Sequence, residues 1–250
     1  MDLSTLPIPD GKVIASIYLL PDCNMSCRFC GSELDFSVIS PARAVQLLGH
    51  LRTRGFTQVV LGGGEPFLWP HDLVELCRQA KALGYLVQVC TNGTLLPAGI
   101  ERESAIDRFI LPLEAATPAL HDRLRRHAKG HHAQVLAQVD RLAAAGRSLT
   151  LSTVVTRENL PELPVLADQL EALKASGANL HAWHLYRFLP TGRQGRDHGA
   201  ELLTSTQAYR AAVAGVRTRD RGFTIYRRSD MLRSSTVAYF WADDGELRTA

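Results

Sequence analysis

Short, β-branched apolar runs alternate with longer stretches whose apolar residues recur every three to four positions, and the alternation repeats six times before residue 190. VIASIYLL (13–20), TQVVLGGG (57–64), YLVQVCTNG (85–93), DRFILPLE (107–114), SLTLSTVVT (148–156) and NLHAWHLYRFL (179–189) read as strands. PARAVQLLGHLRTRG (41–55) and HDLVELCRQAKALG (71–84) read as amphipathic helices, each ending at a glycine suited to a C-cap. TPALHDRLRR and HHAQVLAQVDRLAAAG form a helical segment interrupted near Lys129-Gly130, and 160–177 forms a helix with Pro161 in its first turn. Helices of this length between strands imply right-handed parallel crossovers. The expected fold is therefore α/β, a partial (β/α)6 TIM-like barrel, short of the eight units that close an ordinary barrel. A loop (LPTGRQGRDHG), a helix (TQAYRAAVAGVRTRD), a strand (FTIYRR) and a hairpin (TVAYFWADDGELR, with an Asp-Gly turn) follow as a short C-terminal β/α extension. We expect residues 1–200 to form the barrel core and 201–250 an extension of the same domain.

Composition narrows the class. A chain of 250 residues with 46% hydrophobic content can bury one full core. Lys and Arg outnumber Asp and Glu by 28 to 25, too small an excess for a protein that coats nucleic acid. The N-terminal MDLSTLPIPDGKV lacks a secretory pattern, and no apolar run approaches the roughly 18 residues of a membrane span. The expectation is a cytoplasmic protein with no membrane partner, a reducing setting in which clustered cysteines act as metal ligands or catalytic thiols.

Three of the five cysteines fall in CNMSCRFC, residues 23–30. The spacing C-x3-C-x2-C can wrap three sulfurs around one face of a compact cluster. A structural zinc ion would need a fourth ligand, and no His lies between 31 and 49. A redox pair made of Cys27 and Cys30 would leave Cys23 without a role. A cubane [4Fe–4S] cluster ordinarily takes four thiolates, so three would leave one iron open. Cys77 and Cys90 read as buried, apolar-like residues, and no cysteine follows Cys90, which implies one cluster per chain.

CNMSCRFC, with Phe29 just before its last cysteine, resembles the cluster loop of the radical S-adenosylmethionine (radical SAM) superfamily. Gly63-Gly64-Glu65-Pro66 resembles the motif that follows the second strand in that family, and the likeness extends over about residues 13–190. The resemblance implies a [4Fe–4S] cluster on Cys23, Cys27 and Cys30, with SAM chelated at the open iron. It further implies reductive cleavage of SAM to a 5′-deoxyadenosyl radical, hydrogen abstraction from a substrate, and a one-electron donor such as flavodoxin or ferredoxin. Carried over residue by residue, it sets Gly63, Gly64, Glu65, Thr91, Asn92, Glu114, Arg125, Ser152 and the stretch ending at Leu189 around SAM. Consecutive glycines let backbone carbonyls approach a ligand amine, and Glu65 would fix either the loop or that amine. The blander readings are an ordinary glycine-rich turn, a solvated Glu114, a small core residue at Ser152, and a solvated arginine face at Arg125. The family has Gly where Arg126 follows Arg125 here.

For the substrate, Arg187, Arg193, Arg196, Arg227 and Arg228 would make a cationic rim suited to phosphate or carboxylate, if they do not merely decorate a basic loop. With one cluster, the chain weakly resembles viperin-like and molybdopterin-biosynthesis members, implying a small, anionic, nucleotide-like substrate. The alternatives are a peptide or protein maturase of the same superfamily and, more remotely, a noncatalytic zinc-stabilised binding module. His184 on the sixth strand can point into the barrel and, with Tyr186, is a candidate catalytic group. His131-His132 is expected on a helix surface, and Trp69, Phe188 and Trp241 in packing roles.

Overall fold

A computed structural model of the chain describes residues 3, 6–8, 10–32, 35–127, 130–230 and 234–250. All six expected strands form, trimmed at their ends: β1 (Ile14–Tyr18), β2 (Gln58–Gly62), β3 (Leu86–Cys90), β4 (Arg108–Pro112), β5 (Ser148–Val155) and β6 (Leu180–Arg187). Between them lie α1 (Pro41–Thr53), α2 (Leu73–Ala82), α3 (Pro118–Arg125), α4 (His131–Ala144) and α5 (Leu163–Ala175). Local chemistry sets their starts. Ser40 caps α1 by accepting from the Arg43 N–H at 3.3 Å, with Pro41 in the first turn. Asp72 caps α2 by accepting from the Glu75 N–H at 2.9 Å. Pro161 sits in a separate 3-10 turn, Leu160–Glu162, that leads into α5. Of the expected break at Lys129-Gly130, Lys129 lies outside the described residues, and Gly130 adopts φ 70 immediately before α4.

The expected C-terminal β/α extension forms, and it adds strands to both edges of the sheet. After two helical turns, α6 (Gly192–Gly195) and α7 (Gly199–Leu202), and the helix α8 (Thr206–Val216), β7 (Thr224–Arg228) pairs parallel to β6. The chain then crosses to the other edge, where β8 (Val237–Asp243) pairs parallel to β1 and β9 (Glu246–Thr249) returns antiparallel. The nine-stranded order is β7-β6-β5-β4-β3-β2-β1-β8-β9. By pairing along β1, β8 satisfies backbone groups that an edge strand would leave open.

The register sorts side chains into two faces. Ile17, Val59, Leu61, Val87, Val89, Phe109, Leu111, Leu151, Trp183, Leu185 and Phe240 point toward the helices and are buried in one core. Each such side chain contributes about 1.5–3 kcal/mol through burial. The opposite, inner face carries Ser16, Tyr18, Gln88, Cys90, Arg108, Ser152, His184, Tyr186, Tyr226, Arg228 and Tyr239, as the strand registers require. Chemistry is therefore confined to one face and to the loops at the carboxyl ends of the strands. Among the described residues no helix is long and apolar enough to cross a membrane.

Within α1, a Cβ at Gly49 would meet nothing within 4 Å, so the glycine serves no close contact. Gly49→Ala should stabilise the fold by about 0.5–1 kcal/mol, read as an upward shift of the urea midpoint with unchanged slope.

Candidate functional site

The three cysteines emerge from the loop after β1. Cys27 is buried and Cys23 and Cys30 are half-buried, packed with Met25, Phe29, Leu120, Leu124 and Phe188 in a second apolar cluster. Burial pushes the Cys27 thiol up to about 11, partly opposed by Arg125, so a bound metal would have to supply the charge that keeps it a thiolate. Arg28, between the last two cysteines, anchors the loop from behind. Its N–H donates to the Leu124 carbonyl at 2.9 Å, and its guanidinium pairs with Glu158 at 2.7 Å and with Glu201. The sequence reading overlooked Arg28, whose side-chain partners lie more than a hundred residues away.

The loop after β2 meets the cysteine loop backbone to backbone. The Gly64 N–H donates to the Leu20 carbonyl and the Glu65 N–H to the Asp22 carbonyl, both at 2.8 Å. A Cβ on Gly64 would lie 1.9 Å from the Asp22 oxygen, and one on Gly63, at φ 142, 2.6 Å from the Leu20 oxygen. The glycines are thus demanded by contact with Leu20–Asp22, beyond any approach to a ligand. Glu65 is fully buried and fixes the loop: its carboxylate accepts from Thr91 Oγ1 at 2.7 Å, the Asn92 N–H at 2.7 Å and the Phe67 N–H at 3.1 Å. Asn92 in turn points Nδ2 at the Cys23 sulfur, 3.8 Å away.

Glu114 and Arg125 form a buried pair, which corrects the reading of either as a solvated group. Arg125 Nε and Nη2 donate to Glu114 Oε1 at 3.0 and 2.5 Å, while the Val154 N–H donates to Oε2 at 2.7 Å. Burial by itself lowers the Arg125 pKa, but Glu114 and the Cys27 sulfur outweigh it and the net shift is upward. Its Nη1 reaches the Cys27 sulfur at 3.8 Å, and the guanidinium lies over the Phe29 ring. Arg126, the departure from the family's Gly, takes φ 49, the left-handed conformation a glycine adopts freely.

His131 and His132 are buried, which overturns their expected place on a helix surface. The Glu114 N–H donates to His121 Nδ1 at 3.1 Å, His121 Nε2 meets His131 Nδ1 at 2.8 Å, and His131 Nε2 meets the Asn92 carbonyl at 2.8 Å. Since the first group can only donate and the last only accept, both rings are neutral and carry their proton on Nε2. This chain ties the end of β4 to the end of β3. Its signal in sequence is only a histidine on either side of a helix break.

The inner face brings together groups that the sequence left scattered. His184 Nδ1 lies 3.2 Å from Tyr186 Oη and edge-on to Tyr226, and Tyr18 stacks on Tyr239. Arg228 covers the Tyr226 ring at 4.9 Å from its centroid. Ser152 shares this face, half-buried, beside His184 in register. Cys90 is also there and is solvent-accessible, a correction to its reading as a buried apolar residue; Cys77 is buried as expected. The arginine rim does not assemble as one. Arg187 turns outward to the Ser229 carbonyl and Thr206 Oγ1, both at 3.0 Å, and Arg196 lies exposed at the end of α6. Arg193 folds back on the cysteine loop, its Nη1 donating to the Pro21 carbonyl at 3.4 Å. Leu189 precedes that turn, its carbonyl accepting from the Thr191 N–H at 2.8 Å.

The donor set suits a cluster of the expected kind. Three thiols from one loop lie under two guanidiniums, and the buried Nε of Arg193 has no hydrogen-bond partner.

Comparison with known proteins agrees. A family described as the Radical SAM superfamily matches residues 17–170. The chain is 30% identical over 192 residues to an AdoMet-dependent heme synthase of Oleidesulfovibrio alaskensis, covering 74% of this chain and 47% of that protein. It is 32% identical over 236 residues to a PqqA peptide cyclase of Ruegeria pomeroyi, covering 86% and 59%. The structure of Streptococcus suis SuiB bound to S-adenosylmethionine superposes with a TM-score of 0.75 at 14% identity, over 98% of this chain and 62% of that one. The chain thus spans about half the length of the heme synthase it matches.

Two outcomes follow. Gly64→Ala, driven into the Asp22 backbone, should destabilise the fold by roughly 2–4 kcal/mol in urea titrations and loosen the cysteine loop to alkylation. Burial, aided by Arg125 or Arg228, lowers His121 to about 2 and His131 and His184 to about 3. The unfolded chain takes up these protons near pH 6.5 while the folded chain refuses them, so stability is full above that pH and falls below it. Between pH 7.5 and 5.5 each histidine should cost about 1.4 kcal/mol of unfolding free energy, measured by denaturant titration at the two pH values.

Proposed function

Because the chain belongs to the radical SAM superfamily and is an enzyme of that class using a [4Fe–4S] cluster and SAM, we propose that it removes hydrogen from a carboxylate- or phosphate-bearing substrate seated on the tyrosine-lined inner face. A bound [4Fe–4S] cluster and SAM would supply the reductive, radical-generating chemistry of the class. Cys23, Cys27 and Cys30 would hold three irons. The loop of Gly63, Gly64 and Glu65, braced by Thr91 and Asn92, would present backbone groups to the SAM amine, and Arg125 would face the methionine carboxylate from its seat on Glu114. Ser152 and the backbone near Leu189 would flank the nucleoside.

The observation that carries the substrate reading is Arg228, which shares the inner face with His184, Tyr186 and Tyr226 and is positioned to clamp an anionic group. Heme precursors carry carboxylates, so a small anionic substrate accords with the heme-synthase relative. A peptide is the second reading, favoured by the peptide-cyclase relative and by the likeness to SuiB, one structure of which holds its precursor peptide SuiA. Either reaction needs a one-electron donor, a role that a flavodoxin or ferredoxin would fill.

Anaerobic reconstitution followed by dithionite and SAM should yield 5′-deoxyadenosine, and Cys27→Ala should abolish it while Cys77→Ala keeps it. Stimulation by porphyrin carboxylates or nucleotides, lost at least tenfold in Arg228→Met, supports the small-anion reading. Stimulation by peptides alone replaces it with the second.

A further inference from the structure

The turn after β6 is stitched to the cysteine loop more closely than a substrate rim would be. The Arg193 N–H donates to the Ser32 carbonyl at 3.0 Å, and the Gln194 and Gly195 N–H groups share the Cys30 carbonyl at 3.4 and 3.1 Å. A Cβ on Gly192, at φ 74, would lie 2.2 Å from the Gly31 carbonyl carbon, so only glycine allows the two backbones to touch. Held this way, Arg193 is half-buried with its Nη1 donating to the Pro21 carbonyl at 3.4 Å, and although burial lowers its pKa, the nearby Cys30 and Cys23 sulfurs raise it on balance. Its Nε is buried without a partner, an orphan N–H that a native structure rarely leaves unsatisfied. Arg125, on the other side, has Glu114 to balance it. Among the described residues no carboxylate pairs with Arg193.

We propose that Arg193 is a positioning and tuning residue for the iron–sulfur cluster: the Thr191–Gly195 turn straps its guanidinium against the sulfurs of Cys23 and Cys30, where N–H···S bonds and positive charge raise the reduction potential. The inference rests on the reading of the three cysteines as cluster ligands. Reduction adds one electron, delivered by the external one-electron donor, to a centre already negative. A fixed cation and donors aimed at its sulfurs favour that reduced form over the oxidised one. No bond is made or broken at Arg193. The strap also explains why the arginine follows Gly192 directly, since the backbone contact fixes where its side chain starts.

The test is an EPR-monitored redox titration of the reconstituted cluster without SAM, with iron and acid-labile sulfide measured alongside. Arg193→Met should retain wild-type iron, yet at a poise that half-reduces the wild type its reduced-to-oxidised ratio should fall about tenfold, a shift of 59 mV for a one-electron couple. Arg193→Lys, which keeps the charge without the planar fork, should fall between them. If Arg193→Met loads poorly, Arg193→Gln is titrated in its place and the same downward shift is expected. A fully loaded neutral variant with the wild-type midpoint overturns the proposal, as does one whose only change is a raised KM for substrate, which would return Arg193 to the rim. Wild-type protein that binds no iron removes the cluster reading itself, an outcome distinct from an unshifted midpoint.

Discussion

The architecture of the site depends on two places where backbone meets backbone with no room for a side chain. Gly64 closes on Asp22 just before Cys23, and Gly192 closes on Gly31 just after Cys30. A loop carrying three cysteines has little regular structure of its own, and flexible ends would let its sulfurs wander. The two contacts grip it at both ends, one from the loop after β2 and one from the turn after β6. Each contact joins backbone hydrogen bonds to an approach with no room for a side chain, which leaves the loop one place to lie.

Charge inside this frame is arranged so that little of it is free to move. Arg28 is held by Glu158 and Glu201, and Arg125 by Glu114, so two guanidiniums within the cysteine region are paired before any cofactor arrives. Desolvation makes such pairs costly to break and only modestly stabilising to keep, which suits a role in geometry more than in stability. The two neutral histidines extend the same logic without charge. His121 and His131 join the ends of β3 and β4 through hydrogen bonds whose direction is set by a backbone donor at one end and a backbone acceptor at the other. Proton traffic through them is blocked by that polarity, and the strand ends stay in register.

The inner face shows how one sheet separates folding from chemistry. Residues of alternate parity along the same strands serve the two tasks: Trp183 and Leu185 in the core, His184 and Tyr186 in the lumen. A substitution on one face need not disturb the other. The crossing of β8 to the far edge brings Tyr239 beside Tyr18, so the segment farthest along the chain completes the lumen begun by the first strand.

The six βα units, the cysteine loop and Gly63-Gly64-Glu65 were legible in the chain because each is written locally, in a period of apolar residues or in a few adjacent positions. The position of His184 on β6 likewise allowed an inward side chain to be read from the sequence. Other features are pairings between distant segments, and no local pattern encodes a distance. The burial of Arg125 depends on Glu114 and of His131 on Asn92, although both looked like surface groups on a polar helix. Arg193 read as part of a rim with Arg187 and Arg196, and only the contact of Gly192 with Gly31 turns it toward the cysteines. The sequence by itself determined which chemistry the chain carries, since ligand type and spacing are covalent facts. The tertiary structure decided which charges stand beside that chemistry, because burial and approach exist only once remote backbones have closed on one another.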